Sequence, residues 1–182
     1  MAVINLDSGW VYLANPHTAS RATTAALCKL PGSIEVAPHH ANLHFLHEEY
    51  PATKECQVVF HIVRHPLDWL VSRFLCTGGQ KGKFRDWFKK YPAPIYRKFL
   101  KQTTDFGNYE NLISDLARLT GHEVALGYDN DHKTQGKVDD YMWYWEQSDV
   151  DFAIKRFESD FDNYGYDKNI IGMSLKGKAD YR

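Results

Sequence analysis

Apolar residues recur along this chain at two spacings, and the change from one to the other marks the elements. Val58-Val59-Phe60-His61-Ile62-Val63 is a short, largely β-branched run, which predicts a buried central strand over residues 56–63. Leu67, Leu70, Val71, Phe74 and Leu75 then follow at helical spacing, so one face of a helix packs on a sheet. Pro66 suits the first turn of that helix, where its missing N–H leaves no bond unmade. Upstream, residues 10–14 read as a strand, 15–21 as a tight loop and 22–29 as an alanine-rich helix. Residues 33–36 read as a second short strand, 41–48 as helical and 51–55 as a loop. Pro92 and Pro94 break residues 84–100 into two helical pieces. Asn108 is placed to cap a helix whose apolar face is Tyr109, Leu112, Ile113, Leu116 and Leu119. Residues 123–126 read as a further strand, 127–137 as a polar loop and 139–145 as helical. Asp149 or Asp151 caps a last helix that turns Ile154, Phe157, Phe161 and Tyr164 inward.

Strands alternating with helices predict an α/β fold: a central, mainly parallel sheet with helices on both faces, a three-layer sandwich. Ligands of such sheets bind at the carboxyl ends of the strands. Two segments there carry chemistry. The 56–63 strand ends in Arg64, a charged fork, and the following helix offers the Ser72 hydroxyl off its apolar stripe; together they are donors suited to a phosphate. The 10–14 strand runs into Asn15-Pro16-His17-Thr18-Ala19-Ser20-Arg21 and then a helix. Strand, small-residue loop and helix N-terminus make an anion cradle, because the first N–H groups of a helix lack partners within it and its dipole favours negative charge.

These two segments resemble the phosphate-binding segments of sulfotransferases that use 3′-phosphoadenosine 5′-phosphosulfate (PAPS). In that family the strand-end arginine is followed by Pro two residues on and Ser eight residues on; Arg64, Pro66 and Ser72 have that spacing. The family's 5′-phosphosulfate loop runs Pro-Lys-Thr-Gly-Thr or Pro-Lys-x-Ala-Ser, and Pro16, Thr18, Ala19 and Ser20 fit it. His17 stands where the family has lysine. The resemblance implies a P-loop NTPase-like sulfotransferase fold over a single domain, residues 1–182. PAPS is then the donor, bound through Pro16, His17, Thr18, Ala19, Ser20, Arg21, Arg64 and Ser72, and 3′-phosphoadenosine 5′-phosphate (PAP) is the product.

Sulfuryl transfer needs a base for the acceptor hydroxyl, charge stabilisation around the leaving phosphate and in-line positioning. The family places a catalytic histidine between its two phosphate segments, and His39 and His40 stand there, with His40 slightly preferred. Imidazole suits the task because it titrates near neutrality. His17, as a cation, is placed to neutralise the leaving oxygen, with Arg21 as a permanent charge nearby. His132 and Gln135 resemble the His…Gln loop of carbohydrate sulfotransferases and are substrate-contact candidates. Lys176, in Lys176-Gly177-Lys178, resembles the Lys-Gly loop that closes on the 3′-phosphate. Metal is not expected: His39, His40, His44 and His47 lie too close in sequence to make an ordinary zinc shell.

Composition changes the picture little. The 182 residues suffice for one well-buried domain. A net charge of −1 gives no case for nucleic acid or for an anionic membrane surface. Three cysteines without metal-ligand spacing suit a reducing compartment, and no signal-like or membrane-spanning run appears, so a soluble cytoplasmic protein is expected. The leading reading is therefore a small sulfotransferase acting on a carbohydrate or small-molecule hydroxyl. Two alternatives stand beside it: a catalytically weak PAP-binding protein of the same fold, and a small-molecule kinase. The kinase lacks support from any Gly-Lys-Ser/Thr loop or acidic metal-binding pair.

Overall fold

A computed structural model of the chain describes residues 1–36, 42–78, 83–99, 101–127 and 140–171. It falls into two compact units. The first comprises residues 1–64 and 98–129, the second residues 65–97 and 130–182.

The first unit is built on a five-stranded sheet ordered β3-β1-β2-β4-β5. The strands are β1 (Ala2–Asn5), β2 (Trp10–Leu13), β3 (Ser33–Val36), β4 (Val58–Val63) and β5 (Asp105–Asn108). β2 pairs with β4, and β4 with β5, in parallel; β1 pairs with both β2 and β3 antiparallel. The sheet is thus mixed, where a mainly parallel one is expected from the sequence. The cause is β1, an apolar four-residue strand that turns straight back into β2 and lies between β2 and β3. The other four strands still run in one direction, and their carboxyl ends share one edge.

Side-chain alternation gives this sheet two buried faces, as strand period demands. Val3, Trp10, Tyr12, Phe60 and Ile62 pack under α1 (Ser20–Leu27) and α5 (Leu112–Thr120). Ala2, Ile4, Val11, Leu13 and Val59 pack on the opposite face with Leu46 of α2 (Leu43–Glu49) and with Phe99. Helices therefore cover both faces, as expected. Asn42 caps α2 through its side chain, accepting from the Phe45 N–H at 2.8 Å. The exposed edge of β5 is blunted by Arg118, which donates to the Phe106 carbonyl at 2.7 Å and to the Asp105 carboxylate at 2.9 Å.

The second unit holds α3 (Pro66–Cys76), α4 (Phe84–Lys90), α6 (Gln147–Arg156) and α7 (Glu158–Tyr164). Its core is aromatic: Phe84 meets Phe74 at 5.3 Å and Trp145 at 5.0 Å, and Phe88 meets Trp145 at 4.8 Å between ring centres. Asp149, buried on α6, holds Arg85 of α4 at 2.7 Å. Asp160, fully buried on α7, accepts from the Ile95 and Tyr96 N–H groups at 2.8 and 3.1 Å.

Several expected elements differ. Residues 123–126 form no strand; only Val124 is buried there, packed in the core under α5. Residues 51–55, expected as a loop, form a 3-10 helix, Pro51–Glu55. The helix expected at Asn108 starts later, because Asn108 ends β5 and a 3-10 turn, Tyr109–Asn111, intervenes. The segment expected as helical around residues 139–145 is a 3-10 turn, Tyr141–Tyr144. After Pro92 no second helix follows α4 among the described residues, and the single last helix is two, α6 and α7, broken at Phe157. Glu146, not Asp149 or Asp151, takes the position before α6. Among the described residues, no helix is long and apolar enough to cross a membrane.

Candidate functional site

The carboxyl edge of the first unit gathers the loop after β2, the end of β4 and the end of β5. The β2 loop is held from both sides. Asn15, buried, donates from its side-chain amide to the Ile62 carbonyl at 2.9 Å, which ties the loop to β4. Thr18, fully buried, donates from its hydroxyl to the Asn15 carbonyl at 2.8 Å and so closes the turn. With its hydroxyl proton so placed, Thr18 braces the loop from within.

His17 and Ala19 both adopt left-handed backbone conformations, with φ of 66° and 57°. Such conformations disfavour residues with a Cβ by roughly 1–2 kcal/mol each. They flank Thr18 and lead directly into α1, where Ala19 is the cap and provides no side-chain bond. Left-handed residues in a loop before a helix recur in the backbone nests that bind anions. The first turn of α1 contains no acidic residue. Ser20 is its first residue and half-buried, and Arg21 is exposed. Pro16 is exposed at the entry to the loop.

Arg64 follows β4 and is only 8% exposed. Its guanidinium carbon lies over the Tyr109 ring, 4.4 Å from the ring centre, and one N–H donates to the His17 carbonyl at 3.3 Å. Burying a cation requires partners, and here the ring and the loop carbonyl are two of them. The residue expected to grip a 3′-phosphate is therefore also a strut of the 5′ loop. Its charge stands beside the left-handed turn.

Ser72 lies on α3 in the second unit and is 5% exposed; its link to Arg64 rests on sequence spacing. His39, His40, His132, Gln135 and Lys176 lie outside the described residues. β3 ends at Val36 on the same sheet edge as the loop. His44, on α2, is exposed and lies 3.2 Å from Glu48. No cluster of three metal-ligating side chains occurs among the described residues.

Sequence reasoning missed Asn15, Tyr109 and Asn108 as parts of this edge. Tyr109 was readable only as a helix-face residue, and Asn15 as a loop residue. Each acquires its place through strand pairings between segments some tens of residues apart. Asn108 ends β5; its N–H donates to the Asp115 carboxylate at 2.6 Å, and its Oδ1 is buried without a hydrogen-bond partner among the described residues.

No family model, curated protein or solved structure matches the chain.

Proposed function

We infer that the chain binds a PAPS-type nucleotide at this edge and transfers its sulfonate to a hydroxyl of a carbohydrate or small molecule. The observation that supports this best is the loop at residues 15–19: two left-handed non-glycine residues leading into a helix N-terminus, braced by a buried arginine. Strained backbone of this kind persists where the surroundings over-determine it, commonly at ligand sites. The nest suits the 5′-phosphosulfate, and the Arg64 charge offsets the phosphates. In the reaction a bond forms between the acceptor oxygen and sulfur while the bond from sulfur to the phosphate oxygen breaks. The electron pair stays on that oxygen, giving PAP, and the acceptor proton passes to His40 or His39. Positioning and electrostatics supply most of the rate in such transfers.

Calorimetric titration without metal tests the reading. PAP is expected to bind well, and adenosine 5′-phosphate and ATP much less well, because a 3′-phosphate is recognised. Arg64→Ala weakens PAP binding by roughly 2–4 kcal/mol and Ser72→Ala by about 1 kcal/mol. Equal binding of adenosine 5′-phosphate and PAP sinks the assignment.

One observation favours a second reading, a PAP-binding protein with little turnover. His17 occupies the family's lysine position. Transfer assays with PAPS and a panel of hydroxyl acceptors separate the two readings. For an enzyme, wild type transfers and His17→Lys keeps or raises the rate. For a binder, neither transfers although PAP binds.

A further inference from the structure

We propose that Asn108 is a ligand-contact residue of this edge, its side-chain carbonyl oxygen accepting a hydrogen bond from an N–H or O–H donor on the nucleoside part of the ligand. The proposal rests on the nucleotide reading above and adds to it the group that recognises the nucleoside.

One buried polar atom at this edge lacks a partner among the described residues. Asn108 Oδ1 is buried and has no hydrogen-bond partner among the described residues, although the residue as a whole is partly exposed. Native proteins leave few buried acceptors unmade, because each loses its hydration without replacement. The backbone around this one is fixed. Asn108 pairs with Val63 across the parallel β4–β5 ladder, and its N–H is held by Asp115. The side chain is therefore presented from a rigid element, which is where precise recognition is best built.

Its direction follows from alternation along β5. A Cβ on Gly107 would point at Ile62, Asp115 and Leu119, so Gly107 faces α5. Asn108 then points to the opposite face, at the carboxyl end of its strand, where open α/β sheets bind ligands. β5 lies one strand from β4, which ends in Arg64, and two from β2, which leads into the loop. At about 4.8 Å per step, Asn108 stands roughly 10 Å from the start of the loop. That is the distance over which a nucleoside extends from its 5′-phosphate. An amide oxygen at that point accepts either from a ribose hydroxyl or from the exocyclic amine of adenine.

The test has two arms. In the first, wild type and Asn108→Leu are unfolded in urea without ligand. Leucine has a similar shape and no polar atom, so removing an unsatisfied acceptor leaves the midpoint unchanged or raises it. A clearly lower midpoint shows that Oδ1 has a partner in the free protein and overturns the proposal. In the second arm, both proteins are titrated with PAP, with 2′-deoxy-PAP and with the inosine analogue of PAP, in which a carbonyl replaces the amine. Asn108→Leu is expected to weaken PAP at least tenfold. One analogue is expected to bind wild type as weakly as the variant binds PAP, and to lose nothing further in the variant; that analogue identifies the donor. Equal PAP affinity of variant and wild type overturns the proposal while leaving the nucleotide reading intact. Wild type that binds neither PAP nor the analogues overturns the nucleotide reading, and the proposal with it.

Discussion

The Asn15 side-chain amide donates to the Ile62 backbone carbonyl at 2.9 Å, across 47 residues of sequence. This one bond fixes the height of the β2 loop against the end of β4, one residue from Val63 and two from Arg64. Asn15→Asp puts a carboxylate against that carbonyl and removes the donor. The expected loss is about 1–3 kcal/mol of stability, the range for breaking a buried hydrogen bond, together with weaker PAP binding. Urea denaturation and calorimetry check both. An unchanged midpoint would show that the loop is held by Thr18 and Arg64 without Asn15.

Ala19 caps α1 in the left-handed region at φ 57°. Glycine adopts that conformation without Cβ strain but loses more freedom on folding. The strain is the larger of the two, so Ala19→Gly is expected to stabilise the free protein by about 0.5–1 kcal/mol. Ala19→Val should destabilise it. If glycine lowers the urea midpoint, the left-handed turn carries no strain to relieve.

Gly107 has little room for a side chain. A Cβ there would come within 2.9 Å of Ile62 Cδ1, 3.0 Å of Asp115 Cβ and 3.1 Å of Leu119 Cδ1. Gly107→Ala therefore wedges α5 away from the sheet, at a cost of about 1–3 kcal/mol, as for other overpacked cores. Thermal unfolding measures it. A variant as stable as wild type would mean that α5 slides outward freely.

Two buried groups give stability opposite dependences on pH. His61 is stacked on Phe99, with ring centres 5.0 Å apart, and its Nδ1 lies 3.0 Å from the Thr103 hydroxyl. The same hydroxyl lies 3.1 Å from the Phe99 carbonyl. Burial lowers the His61 pKa to about 3. The unfolded chain takes up a proton near pH 6.5 that the folded chain refuses, so stability falls as pH drops below that value, by about 1.4 kcal/mol per unit. Asp160 runs the other way. Burial raises it to about 6, against the pull of the Ile95 and Tyr96 N–H bonds. Its share of stability is present below the unfolded value near 3.9 and is lost as pH rises through 6. The two slopes oppose each other between about pH 4 and 6. Urea midpoints across pH 4–7 should fall less on acidification in His61→Leu and more in Asp160→Asn than in wild type. Parallel curves for all three proteins would dismiss both assignments.

The elements legible in the sequence are those whose own residues carry the signal. β4 is a continuous apolar run, and α3 shows helical spacing from Pro66 onward. The β2 strand, its loop and α1 follow from the change of residue type at Asn15. β1 and β5 escape notice for different reasons. Ala2-Val3-Ile4-Asn5 is too short to show a period. Asp105-Phe106-Gly107-Asn108 contains two polar residues and a glycine because it lies at a sheet edge, under Arg118 and against α5. Residues 123–126 mislead through composition, since only Val124 reaches the core. In the candidate site, the cradle and Arg64 are readable as residue types. The Arg64–Tyr109 contact and the Asn15–Ile62 bond are not, because they exist only once β2, β4 and β5 stand side by side.

The reversed strand β1 has a practical consequence. It begins at the same edge where β2 ends, and the Ala14 N–H donates to the Met1 carbonyl at 3.1 Å. Any residues joined ahead of Met1 therefore emerge beside the mouth of the β2 loop. A purification tag placed there would compete for space with the ligand proposed above and, if rich in histidine, would add positive charge beside the loop proposed to hold its phosphates. Affinities measured on a protein tagged at that end would report the tag as well as the site, so the cleaved form is the one to titrate.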